Sequence, residues 1–574
     1  MIKNLSSHLL DRMRGRFNRL YGIRRADQCV ERLAAMIGRY GIGYDRLSTD
    51  SRWDEKRTVL ITYADTVQRD GERPLITLKQ FADRHLSGVI DSIHILPFCP
   101  WSSDDGFSVI DYRQVNPDAG RWNDVQAIGD NFNLMFDLVL NHCSRWSEWF
   151  RNYTADVAPH RDYFIEMNPD TDLSAVMRPR NTPVLTAVHK DMDEAYVWTT
   201  FSSDQVDLNF ANPDVLFEFF DILMLYLSKG ARIIRLDAIA YLWKQPGTSC
   251  IHLEQTHEIV KLFRDLLDMI APEVVLLTET NVPHAENISY FGKNDEAHMV
   301  YQFSLPPLLL HALTTGNAGY LTAWAQTVSV CSENCTYLNF TASHDGIGVR
   351  PLTGLIPDEE LNALVEHVKT QGGKVSTKSN SDGTDSPYEL NITYFDALGG
   401  DDHQIDRFLC SQTVMLALKG VPAIYFHSLT ATPNDDESVK ASGRARSINR
   451  KQWDIDELEG ELNGNGATAR VFSEYRRRIK IRTRQKAFHP DAHQRVVELG
   501  DGLFGFVRVS VDSSEIITCV SNVSNVRKTL AVDSRFPELD SPQPLTDLLS
   551  GARTSGANKQ IPLEPYQTVW LTMG

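Results

Sequence analysis

The chain has 574 residues, 75 of them acidic against 58 Lys and Arg, for a formal charge of -17 at pH 7. That balance argues against nucleic acid or an anionic membrane as a partner, because both attract basic faces. A hydrophobic content of 42% with 23% charged residues is that of a folded protein with a sizeable core.

No apolar stretch of about 18 residues without charges offers a membrane span. The start, MIKNLSSHLLDRMRGRF, has no uninterrupted apolar run of a secretory leader. The 8 cysteines are sparse, and Cys99, Cys410 and Cys519 sit inside apolar runs, so reduced, buried thiols and a cytoplasmic location are expected. Cys331 and Cys335 are the one close pair, and no second pair with zinc-like spacing accompanies them; no metal and no cofactor is expected.

In chain order, residues 1–57 read as a helical N-terminal extension. Eight strand-like runs follow: TVLITYAD from Thr58, SIHILPF from Ser92, NLMFDLVL from Asn133, ARIIRLDA from Ala231, EVVLLTET from Glu273, MVYQFS from Met299, TYLNFTASHD from Thr336 and VPAIYFHSL from Val421. Their near-continuous hydrophobicity suits parallel strands covered on both faces. Helices lie between several of them. Asn212-Pro213 opens one, with a Leu216, Phe219, Leu223, Leu227 stripe and Gly230 as its stop; another runs from about Leu253 to Ile270. Alternating strands and helices with eight strands predict an α/β fold, a closed (β/α)₈ TIM barrel.

The barrel is divided into residues 58–142, 209–345 and 401–489. Two βα connections break its rhythm and overhang the C-terminal face: residues 143–208 as an inserted domain, and 346–400 as a loop-rich insertion whose GGKVSTKSNSDGTDSPYE reads as a mobile loop. Residues 490–574 alternate in short runs with turn residues between, a small all-β domain.

Four short segments place polar groups where strands leave the core: DLVLNH at 137–142, RLDA at 235–238, TET around Glu279 and SHD at 343–345. Arg235 and Asp237, two apart on one strand, point the same way, so the guanidinium is expected to hold Asp237 ionised. Glu279 follows an apolar strand and has Asp237 and Asp345 as like charges, so its pKa should rise. One carboxylate ionised beside one kept protonated is what a retaining glycosidic mechanism needs, at a separation of about 5 to 5.5 Å. Asp237 would be the nucleophile, Glu279 the acid/base, and Asp345 the stabiliser of charge on the sugar ring, with His142 and His344 binding its hydroxyls. A catalytically silent barrel would have lost one of these carboxylates, and all three stand.

Together these segments resemble the signature regions of glycoside hydrolase family 13, the α-amylase family. HILPFCPWSSDDGFSVIDY from His94, WTTFSSDQVDLN from Trp198, GTSCIHLEQTH from Gly247, FSLPPLLLHAL from Phe303, HDGIGVRPLTGLIP from His344 and RSINR from Arg446 narrow it to the sucrose-phosphorylase subgroup. The resemblance implies phosphorolysis: inorganic phosphate takes the glucosyl group from Asp237, giving α-glucose 1-phosphate. It implies that Asp104, or Asp105 one residue on, and Arg446 grip the far hydroxyls of glucose, that Phe107 and Phe201 wall the subsite and that Gln205 lines it. Arg180 and Tyr388 match the anion-binding positions, and Tyr241 is placed with them on the acceptor side.

Departures from the subgroup bear on the acceptor. Tyr388-Glu389 replaces Tyr-Gln, and the HDGIGVRPLTG loop is short and carries Arg350. Fructose becomes doubtful, and the chain looks more like phosphorylases of 2-O-α-glucosylglycerol or 2-O-α-glucosylglycerate. Glu389 as an acceptor for a diol, with Arg350 facing solvent, tilts the expectation to glycerol, with glycerate as the alternative and sucrose, sucrose 6-phosphate or simple hydrolysis behind them. The implied partners are thus small: a glucosyl donor, inorganic phosphate, and glycerol or glycerate.

Overall fold

The structure is a computed structural model that describes residues 7–40, 52–328, 334–379, 384–540, 543–554 and 560–573. Eight parallel strands close a barrel in sequence order: β1 (Val59–Thr62), β2 (Ser92–Ile95), β3 (Asn133–Leu138), β4 (Ala231–Leu236), β5 (Val275–Thr278), β6 (Met299–Tyr301), β7 (Thr336–Asn339) and β8 (Val421–Tyr425). Closure is explicit in β1, where Val59 is opposite both Ser92 of β2 and Ala423 of β8. Strands β1, β2, β5 and β7 are buried at every residue, the outcome of apolar runs with helices outside and packed side chains within.

Two helices at the start, α1 (Ser7–Tyr21) and α2 (Ile23–Tyr40), pack on the outside of the barrel against α3 (Pro213–Ser228) and α4 (Glu254–Ile270). Phe17 stacks on Phe217 with ring centroids 6.1 Å apart, and Arg16 donates to Asp265 at 2.6 Å. Helix α3 starts where Asn212 accepts a hydrogen bond from the Asp214 N–H at 3.0 Å, with Pro213 supplying no donor in the first turn.

Residues 143–208 carry a helix (Glu148–Thr154) and an antiparallel hairpin (Leu185–Lys190 with Asp193–Trp198), tied back to the barrel rim where His142–Ser144 pairs with Gln205–Asp207. The second insertion differs from its expected form. Lys374–Ser379 and Asp385–Asn391 are antiparallel strands, and the second also pairs with Ile347–Gly348. Alternating Val375 and Thr377, and the available edge at Ile347, outweigh the polar composition that reads as loop; residues 380–383 of the expected loop lie outside the described residues. The C-terminal part is a six-stranded sheet with antiparallel pairing from His493–Val497 to Arg553–Thr554.

Among the described residues no helix is long and apolar enough to cross a membrane. Cys335 is buried, and Cys331 lies outside the described residues.

Candidate active site

Leu236 of β4 is opposite Thr278 of β5, so Asp237 and Glu279 leave adjacent strands at the same level. The ladder continues through them: the Asp237 N–H donates to the Leu138 carbonyl at 3.3 Å and the Glu279 N–H to the Leu236 carbonyl at 3.1 Å. Neighbouring strands lie about 4.8 Å apart, so the two carboxyls are held side by side across one inter-strand gap. Ala238 then turns left-handed at φ 48°, and its N–H donates to Glu279 Oε2 at 2.9 Å. A strained non-glycine residue directly after Asp237 aims a backbone donor at the Glu279 carboxylate.

Arg235 lies beneath the pair with 2% of its side chain exposed, donating to Asp237 Oδ1 at 2.8 Å while its Nη2 stands 3.9 Å from Glu279. It also donates to Asp137, which in turn bonds His94 at 2.6 Å. Although burial pushes it up, Asp137 is held at about 2 by Arg235 and His94. Arg235 therefore divides its charge, and the expectation for Asp237 changes: burial outweighs Arg235 and, with Glu279 nearby, pushes the Asp237 carboxyl well above the usual range. Glu279 is also raised, first by burial and then by Asp345, as the sequence predicts.

Asp345 takes the opposite direction. Burial would raise it, but Arg446 at 2.6 Å, His344 at 3.5 Å and Arg450 at 3.8 Å hold it well below the ordinary carboxylate range. The SHD turn is pinned from behind, with Asn449 Nδ2 donating to the Asp345 and Ser343 carbonyls at 2.9 and 3.2 Å and Arg450 Nε to the His344 carbonyl at 2.7 Å. Burial lowers both His142 and His344, so each is a neutral imidazole. His344 stacks on Phe107 at 4.8 Å, and Phe201 lies 5.2 Å from His142.

Asp237, Glu279, Asp345, His142, His344, Phe107 and Phe201 line one pocket. Its lining also includes Arg180, Tyr388 and Glu389, and Asp104, Gln205 and Arg446.

The α-amylase catalytic domain family matches residues 88–353. The chain is 46% identical to the glucosylglycerate phosphorylase of Escherichia coli K12, over 92% of this chain and 94% of that one. It is 30% identical to the glucosylglycerol phosphorylase of Marinobacter adhaerens, over 70% of this chain and 83% of that one. A crystal structure of sucrose 6F-phosphate phosphorylase from Thermoanaerobacter thermosaccharolyticum superposes with a TM-score of 0.72 at 25% identity, covering 82% of this chain and 94% of that one. The chain belongs to the α-amylase family, in its sucrose-phosphorylase subgroup. It is a retaining glycoside phosphorylase, a hexosyltransferase.

Within this α-amylase-family site the pocket lining includes Asp104, Phe107, His142, Arg180, Phe201, Gln205, Asp237, Glu279, His344, Asp345, Tyr388, Glu389 and Arg446. Arg235, Tyr241 and Arg350 are not part of that lining. Of the two adjacent aspartates, Asp104 faces the pocket, where Gln205 donates to it at 3.1 Å. Asp105 turns away to Arg450 and to Arg444, the latter at 3.2 Å. The left-handed turn at Asp104 and Asp105 needs Gly106 (φ 108°), where a Cβ would lie 2.5 Å from the Pro97 carbonyl.

Two expectations about the acceptor side change. Glu389 is 2% exposed and accepts from Arg446 at 3.0 and 3.1 Å and from the Gly346 N–H, so its oxygens are already engaged, and it shares the Arg446 charge with Asp345. Arg350 does not face solvent: its side chain is 9% exposed, 3.7 Å from Glu286, with Nη2 2.8 Å from Met177 Sδ. It lies close enough to Tyr241 to influence its phenol, as do Glu279 and Arg180.

Sequence reasoning passed over Asn281 and Phe303, both in the pocket lining. Asn281 follows Glu279 by two residues, and Gly348 makes its room, since a Cβ there would lie 2.6 Å from Asn281 Oδ1. It also missed the support behind His142: buried Lys244 bridges Asn141 at 2.6 Å and Asp207 at 2.5 Å, and Asn141 donates to His142 Nδ1 at 3.2 Å.

Proposed function

We propose that the protein phosphorolyses 2-O-α-D-glucosylglycerate reversibly to α-D-glucose 1-phosphate and D-glycerate. The observation that carries this is the gap in likeness: glucosylglycerate phosphorylase is matched nearly end to end and at much higher identity than glucosylglycerol phosphorylase. Two features of the site favour glycerate over the glycerol expected from sequence. Glu389, the group that would repel a carboxylate, is paired with Arg446, a cation it shares with Asp345, and Arg350 is folded inward beside Tyr241 and Arg180.

The steps follow from the groups in place. Burial raises both carboxyls, so Asp237 and Glu279 share one proton, and the reactive form is the one in which Asp237 is ionised beside Arg235 and Glu279 carries the proton. Asp237 attacks the anomeric carbon while Glu279 protonates the departing O2 of glycerate, giving a β-glucosyl ester and free glycerate. Phosphate then takes the place that glycerate leaves, gives its proton to Glu279 and displaces Asp237, restoring the α configuration. Both acceptors are anions that occupy the same place in turn; Arg180 lines the pocket and can serve each of them with charge-assisted hydrogen bonds, and Arg350, outside the lining, reaches the acceptor carboxylate once it turns from Glu286. Asp345, held ionised by Arg446, faces the ring as positive charge develops.

Incubation with glucosylglycerate, with and without inorganic phosphate, tests the reading. Glucose 1-phosphate formed only with phosphate supports it, and free glucose released at the same rate without phosphate refutes it.

A further inference from the structure

Beside the catalytic pocket a wider cleft opens between the loops after β1, β2 and β8, about 1480 Å³ against about 600 Å³, each counting its mouth. Its lining is that of a sugar site. Trp101, 39% exposed, is among the few large apolar side chains on the described surface. Around it stand Asp65, Gln68, Asn116, Asp118 and Gln452, carboxylates and amides that can bond hydroxyls while an indole face covers the C–H side of a pyranose. Two of its lining residues each carry a buried donor without a hydrogen-bond partner among the described residues, Tyr63 Oη and Arg450 Nη2. The Arg450 side chain is 7% exposed, and the only carboxylate beside that Nη2 is Asp345 at 3.8 Å, too far for a hydrogen bond.

The chemistry of the cleft excludes the anions used next door. Asp65, Asp105 and Asp118 line it, the Arg450 charge is engaged by Asp105, and Lys451 is turned to Glu457 at 3.1 Å and to the Trp453 ring at 3.6 Å. Asp105, bonded to Arg450 and Arg444, is also the partition: it lines this cleft while its neighbour Asp104 lines the catalytic pocket.

We propose that this cleft is a second carbohydrate site, for a neutral hexose or short glucoside, separate from the catalytic pocket and with Trp101 as its platform. The proposal does not depend on which acceptor the enzyme uses.

Titration calorimetry of the full chain with maltose, with ligand-observed NMR in parallel, tests it. The wild type binds maltose with a Kd in the roughly millimolar range, and Trp101→Ala weakens it about tenfold, the worth of one aromatic contact. Phosphorolysis by Trp101→Ala stays within about twofold, because Trp101 touches none of the reacting groups. Asp118→Ala, a change at an exposed loop, weakens maltose as well and serves if Trp101→Ala does not fold. Three results overturn the proposal: no heat and no NMR signal with wild type at about 50 mM, a concentration far above a millimolar Kd; equal binding by wild type and both folded variants; or maltose acting as a competitive inhibitor against glucose 1-phosphate with a Ki equal to its Kd, which would put it in the catalytic pocket.

Discussion

Replacing Arg350 by Gln separates the two acceptors. The guanidinium is 9% exposed, and its one ion-pair partner among the described residues, Glu286, is 3.7 Å away and 42% exposed, so little of its charge is spent inside the protein. A charge-assisted hydrogen bond to a carboxylate is worth about 1.5–3 kcal/mol, and giving up the loose Glu286 contact costs under about 1 kcal/mol. The net of about 2 kcal/mol corresponds to a roughly 30-fold loss in kcat/KM. The assay is glucosyl transfer from glucose 1-phosphate, read as phosphate release, with D-glycerate and with glycerol. Arg350→Gln should lose about 30-fold with glycerate and change less than about threefold with glycerol. An equal loss with both acceptors would make Arg350 a structural residue and refute its role in recognising the carboxylate.

Asp237→Asn should lower turnover by roughly 10⁴-fold or more with an unchanged unfolding midpoint, since the covalent step needs that carboxylate; intact turnover would remove the mechanism. Because Glu279 is raised and must be protonated to act on the leaving oxygen, kcat/KM for glucosylglycerate should fall as pH rises through its pKa, and because Asp237 is raised and must be ionised, it should fall on the acid side as well; Glu279→Gln should abolish the alkaline limb in a pH profile. Gly346→Ala would put a Cβ 2.6 Å from the Leu390 carbonyl and 2.7 Å from Glu389 Cγ, costing about 1–3 kcal/mol in a denaturant titration and weakening activity. Lys244→Met leaves Asp207 buried without its cation and should cost about 3–5 kcal/mol, part of which Lys244→Met with Asp207→Asn restores.

The barrel and the gathering of Asp237, Glu279 and Asp345 in one pocket were legible because each rests on a local signal: unbroken apolar strands, and carboxylates at the points where strands end. Asp237 and Glu279 could be placed side by side from strand order alone, and β4 and β5 are in register to do so. What the sequence hides is how charge is shared between segments far apart in the chain. Arg235 reads as the private partner of Asp237, yet Asp137 of β3, 98 residues earlier, takes part of it. Glu389 reads as a free acceptor because its partner Arg446 lies 57 residues on, and Arg350 reads as solvated because nothing near it in sequence shows that Met177 and Glu286 close over it. The hairpin at Lys374–Ser379 was hidden for a related reason: its pairing edge, Ile347–Gly348, is supplied from elsewhere.

The central claim is that the enzyme passes glucose to an anionic three-carbon acid. The direct measurement is the ratio of kcat/KM for D-glycerate to that for glycerol, with glucose 1-phosphate as donor and both acceptors assayed in parallel at one ionic strength. The site predicts a ratio of about 100 or more, near 3 kcal/mol for a carboxylate met by two arginines. A ratio at or below one would contradict it.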